Sequence, residues 1–149
     1  MEIKDSGNRR EFSTGAVRDI QEGKGRCDLL PLEVVAQITG DVIFQEISEF
    51  QKDGDTSNLY DALEFFAEIY GGGIFTMILD VAKHFEAGAL KYGENNWQKG
   101  LPPSCYIDSA LRHYLKFKRG DDDEPHDRAF VWNLMCCCWE VDYHANKNS

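Results

Sequence analysis

From Leu29 onward the apolar residues return every third or fourth position, in blocks that end at glycine, proline or paired polar residues. That spacing matches the 3.6-residue turn of an α-helix and not the period of two that a half-buried strand requires. Helices are therefore expected over 29–38, with Pro31 in the first turn and Gly40 after the end, over 42–52, and over 58–70 beyond Asp53-Gly54-Asp55. Gly71-Gly72-Gly73 breaks the chain, and the longest block, 74–92, stops at Gly93 and Asn95-Asn96. Two further helices are expected over 106–118 and about 126–143, flanking the turn 120–125. No strand pair or internal repeat is evident, so the fold class is all-α, a bundle of about four core helices.

A chain of 149 residues fits one domain, and 42% hydrophobic residues suffice for one continuous core. Residues 1–28 are rich in glycine and charge with little periodicity, and are expected to form a largely irregular arm that orders over a site. The last helix is apolar all round (Val131, Trp132, Met135, Cys138, Trp139), which makes it the central or subunit-contacting element and leads to the expectation of a homo-oligomer.

A net charge of −10 argues against duplex nucleic acid as a partner, because that affinity comes mainly from Lys and Arg neutralising phosphates. A free nucleotide remains compatible, since it needs only a local basic pocket. The cysteines, Cys27, Cys105 and Cys136-Cys137-Cys138, lack the C-x-x-C spacing of a zinc site. The adjacent three point about 100° apart on a helix and are read as reduced, small hydrophobes. Met1 to Asn8 is polar, and no apolar run approaches a bilayer span, so the expected location is the cytoplasm, with no membrane partner.

Polar residues on apolar faces carry the chemistry. At about 100° per residue, Phe75, Leu79, Ala82 and Ala89 form one row of the 74–92 helix, and Glu86 falls inside it. A carboxylate there implies a metal ligand or a buried ion pair, unless the helix is rotated so that Glu86 faces water. His126 and Asn133 share a row on the last helix, where each could serve a site or simply satisfy the core. Asp121-Asp122-Asp123-Glu124 could hold magnesium, or merely favour the positive end of the following helix. Arg18, Lys24 and Arg26 sit among glycines that allow close approach to phosphate, although the Walker spacing is missing. Lys91, Tyr92, Asn96 and Trp97 combine a cation, an amide and two flat rings able to stack on a base, the rings serving equally well as hydrophobic caps.

Thr14-Gly15-Ala16-x-Arg18-Asp19, Gly23-Lys24-Gly25-Arg26-x-Asp28-Leu29-Leu30-Pro31, Glu86-Ala87-Gly88-Ala89-x-Lys91-Tyr92-Gly93-x-x-Asn96-Trp97-x-x-Gly100, Ala110-Leu111-Arg112-His113 and His126-x-x-Ala129-x-x-x-Asn133 together resemble the phage-associated dATP/dGTP diphosphohydrolases. That family is related in chemistry to the MazG-like nucleoside triphosphate pyrophosphohydrolases. The resemblance spans about residues 14–38 and 81–133, leaving 39–75 as a helical insertion. It implies magnesium-dependent hydrolysis of a deoxypurine nucleoside triphosphate to the monophosphate and pyrophosphate on an all-helical scaffold. By analogy, the metal ligands would be Glu86, Asp121 and Glu124, and the catalytic residues Glu86, Glu124 and His126. Arg18, Lys24, Arg26, Lys91 and Arg112 would neutralise phosphate; Tyr92, Asn96, Trp97, His113 and Asn133 would complete the substrate site. The alternative is a phage protein that binds or sequesters a nucleotide without cleaving it.

Overall fold

The computed structural model describes residues 6, 8–19 and 23–145. Among them are six α-helices: α1 Leu32–Thr39, α2 Val42–Asp53, α3 Ser57–Ile69, α4 Gly73–Tyr92, α5 Pro103–Arg119 and α6 His126–Trp139, the last running on into a π-helical turn, Glu140–His144. Their limits follow local chemistry. The Asp41 side chain accepts a hydrogen bond from Ile43 N at 3.0 Å and caps α2. Gly120, at φ 92°, closes α5 in the left-handed conformation and turns the chain into the acidic loop before α6.

α6 is central, packed against α5, α4 and α3. Its three adjacent cysteines are all buried, free thiols, possible because neighbours surround this helix. Burial pushes the Cys138 thiol up to about 12, which keeps it protonated and inert. Phe66 of α3 anchors the core: its ring meets Tyr70, Tyr114, Phe117 and Phe130 edge-on, with centroids 4.8–6.0 Å away. Phe44, Ile47 and Phe50 of α2 join the same cluster. The segment 39–75, expected as an insertion, thus contributes α2 and α3 to the core and does not stand apart from it.

Two expectations are corrected. First, the arm contains a strand pair: β1 Arg9–Glu11 runs antiparallel to β2 Val17–Asp19, with Arg10 opposite Arg18. Gly15, at φ 87°, supplies the turn, and Phe12 N donates to Ala16 O at 2.9 Å. Strands of three residues are too short to display alternation. Residues 1–5, 7 and 20–22 of the expected arm lie outside the described residues. Second, α4 is turned the other way. Met77, Val81 and His84 are buried, whereas Phe75 is 84% and Leu79 67% exposed, with Ala82 and Glu86 exposed beside them. The helix is apolar on most sides near its start, so hydrophobicity alone does not select the face, and packing against α3 and α6 decides it.

No single described helix is long and apolar enough to cross a membrane; α3 and α4 meet such a criterion only as a pair bent by 107°.

Candidate active site

The arm is fastened across the end of α4 by side chains that imitate backbone. Asn96 Nδ2 donates to Val17 O at 2.8 Å while its Oδ1 accepts from Val17 N at 2.9 Å, extending the hairpin by one rung. Thr14 Oγ1 donates to Gly100 O, and Ala16 is fully buried beneath the turn. Further along, Asp108 of α5, only 1% exposed, accepts from Cys27 N and from Arg112 Nη2, each at 2.7 Å. A buried carboxylate is tolerable when so satisfied.

Between this arm, the second half of α4, α5 and α6 lies a cavity of about 510 Å³. Its walls carry Arg18, Lys24, Lys91, Arg112 and Lys116, the rings of Tyr92, Trp97 and Trp132, and on the α5–α6 side His113 and Glu124. The volume lies within the usual range for small-molecule sites. Arg18 is fixed by hydrogen bonds from Nη2 to Ser109 Oγ and Asn133 Oδ1, both 3.1 Å, and its guanidinium lies 5.4 Å from the Tyr106 ring centre. Lys24 pairs with Asp19 at 2.9 Å. Buried donors on cavity-lining residues, among them Arg18 Nη1, Arg112 Nε and Trp132 Nε1, have no hydrogen-bond partner among the described residues. Such donors are costly unless something in the cavity accepts from them, and those of Arg18 and Arg112 are cationic.

Two histidines line this space and a third stands behind them. His84 is buried and accepts from Arg128 Nε at 3.2 Å; burial and the positive charges of Arg128, Arg18 and Lys91 depress it to about 3. His113 is likewise held well below the ordinary imidazole value, first by burial and then by His126 and nearby positive charge. His126, 2% exposed, puts Nδ1 2.9 Å from His113 Nδ1 and Nε2 2.7 Å from Asp123 Oδ1. Two groups of side chains are close enough to hold a metal ion: His113 with Glu124 and His126, and Asp121 with Asp123 and His126.

Most expected site residues converge here. Arg18, Lys24, Lys91, Tyr92, Asn96, Trp97, Arg112, His113, Glu124 and Asn133 all line the cavity, and His126 stands directly behind His113. Several do so in different roles. Asn96 spends its amide on Val17, and Asn133 orients Arg18 while donating to Ala129 O at 2.8 Å. Trp97 packs on Phe85 and Trp139, with centroids 5.3 and 4.9 Å away. Arg26 points elsewhere, in a two-pronged pair with Asp28 at 2.8 Å. Glu86 is exposed and does not line the cavity, the consequence of the rotated α4. Asp121 is engaged at both oxygens by Arg119. The expected all-carboxylate metal set of Glu86, Asp121 and Glu124 therefore does not assemble. His84, Asp108, Trp132 and Lys116 were missed. His84 had a legible signal, because Met77, Val81 and His84 follow helical spacing on one face.

The protein-family model described as dATP/dGTP diphosphohydrolase, N-terminal, matches residues 51–149, from the end of α2 through α6. No curated protein and no solved structure gives a significant match.

Proposed function

The chain belongs to the dATP/dGTP diphosphohydrolase N-terminal family, and from that membership we propose that its cavity binds a deoxypurine nucleoside triphosphate and hydrolyses it to the monophosphate and pyrophosphate. The observation that carries this reading is the set of buried, unpartnered donors of Arg18, Arg112 and Trp132. Phosphate oxygens are the acceptors best matched to guanidinium nitrogens held in a fixed geometry.

Lys24 and Lys116 add charge around the same space, and Tyr92 offers a ring at its rim, faced by Arg9 4.9 Å from the ring centre. In the proposed reaction a water oxygen bonds to the α-phosphorus and its proton passes to solvent, the bond from that phosphorus to the bridging oxygen breaks, and pyrophosphate leaves with its charge offset by the cations. The guanidiniums do not move to do this. Asn133 and Ser109 hold Arg18, and Asp108 holds Arg112, so little reorganisation is needed as charge develops.

The test is turnover by the purified chain with each of the four deoxynucleoside triphosphates and a divalent cation. Pyrophosphate and the monophosphate are expected from dATP and dGTP. No pyrophosphate from any of the four would reject hydrolysis, and tight nucleotide binding without product would leave a sequestering protein.

A further inference from the structure

We infer that His113, Glu124 and His126 form a binding site for one first-row transition-metal dication, of the manganese-to-zinc class. The ligand atoms of these three lie within 4.8 Å of one another. The two Nδ1 atoms are 2.9 Å apart. Two nitrogens each about 2.1 Å from one ion, and at right angles about it, would be about 3 Å apart, so the observed spacing suits neighbouring ligands of a shared ion.

A second, independent feature points the same way. His126 Nε2 lies 2.7 Å from Asp123 Oδ1, and since a carboxylate can only accept, this nitrogen carries the hydrogen. In the neutral ring, Nδ1 then presents its lone pair toward His113 and Glu124. A carboxylate behind a histidine that directs its other nitrogen at a cation is the usual outer support of a metal-binding imidazole. Asp121 stays outside the set because Arg119 engages both its oxygens.

Two imidazoles and one carboxylate select the ion. Magnesium prefers oxygen ligands and gives up water reluctantly, whereas nitrogen donors favour the transition series. His113 and Glu124 line the cavity, so the open side of the ion faces the space assigned to the triphosphate. That last placement rests on the proposed function; the binding itself does not.

The experiment uses the full chain, stripped with a chelator and titrated with Co²⁺ without nucleotide, followed by visible absorption and calorimetry. One Co²⁺ per chain is expected, with ligand-field bands that survive an excess of Mg²⁺. His113→Gln and Glu124→Gln should each weaken it by about tenfold or more, as should Asp123→Asn, with circular dichroism unchanged. Should His113→Gln misfold, Glu124→Gln, on the cavity wall, carries the test. Co²⁺ bound no more tightly than Mg²⁺, or equally well by these variants, overturns the site, because then only a shared proton joins the two rings. Triphosphate cleavage with Mg²⁺ alone, undiminished in His113→Gln, overturns the placement of the ion toward the triphosphate while leaving the reaction, and the binding if the titration shows it, standing. Co²⁺ binding as described, without turnover, supports the site and removes the reaction.

Discussion

His84 is kept uncharged by burial and by Arg128, whose Nε donates to it. Its value in the folded chain, about 3, lies below the 6.5 of the free side chain, so below pH 6.5 the unfolded chain binds a proton that the folded chain does not. Stability is therefore full above that pH and falls by up to about 1.4 kcal/mol per unit as pH drops from 6.5 toward 3. His113, depressed for the same reason, adds the same sign. Urea midpoints measured with chelator present should be lower at pH 5.5 than at 7.5; equal midpoints would contradict the burial of these rings. Glu86 gives the opposite kind of prediction. It is exposed, so Glu86→Ala should leave both melting temperature and turnover unchanged, while Glu124→Ala should abolish most turnover. The sequence announced a carboxylate of interest but assigned it to the wrong helix face, since Glu86 sits among apolar neighbours that packing leaves outside.

At the scale of elements, the six helices were legible because each has helical spacing and a glycine or proline at its limits. The hairpin was not, because what fastens it, Asn96 on Val17 and Gly100 on Thr14, lies far away in sequence. Asn96→Ala removes two hydrogen bonds to the half-buried Val17 backbone, at a cost of about 1–3 kcal/mol for the pair. Arg18 is the next residue, so the arm should loosen and KM should rise more than kcat falls. Hydrogen exchange at the Val17 amide, fast in the variant and slow in the parent, checks the mechanism; unchanged exchange would show that the arm is held otherwise. The cavity's composition was similarly half legible. Its cations and rings stand out as residue types, but the roles of Asn96 and Asn133 emerge only when the partners they hold are in place.

For the whole molecule, one core joins α2 and α3 to α5 and α6 through Phe66. Phe66→Ala should destabilise the entire fold by about 3–5 kcal/mol in a single transition; a variant that lost only α2 and α3 would contradict that unity. Leu101 of the same core lines the cavity, and a chain of net charge −10 can accept a polyanion there because Arg10, Arg18, Lys24, Lys91, Arg112 and Lys116 border that space against only Asp19, Asp108 and Glu124. The most direct test is the calorimetric affinity of a dGTP analogue with a non-hydrolysable α,β-methylene link, compared between the parent chain and Arg18→Ala and Arg112→Ala. Each variant should lose about tenfold or more, as expected for a charge-assisted hydrogen bond of about 1.5–3 kcal/mol. Equal affinity in all three would mean that the triphosphate does not bind in this cavity.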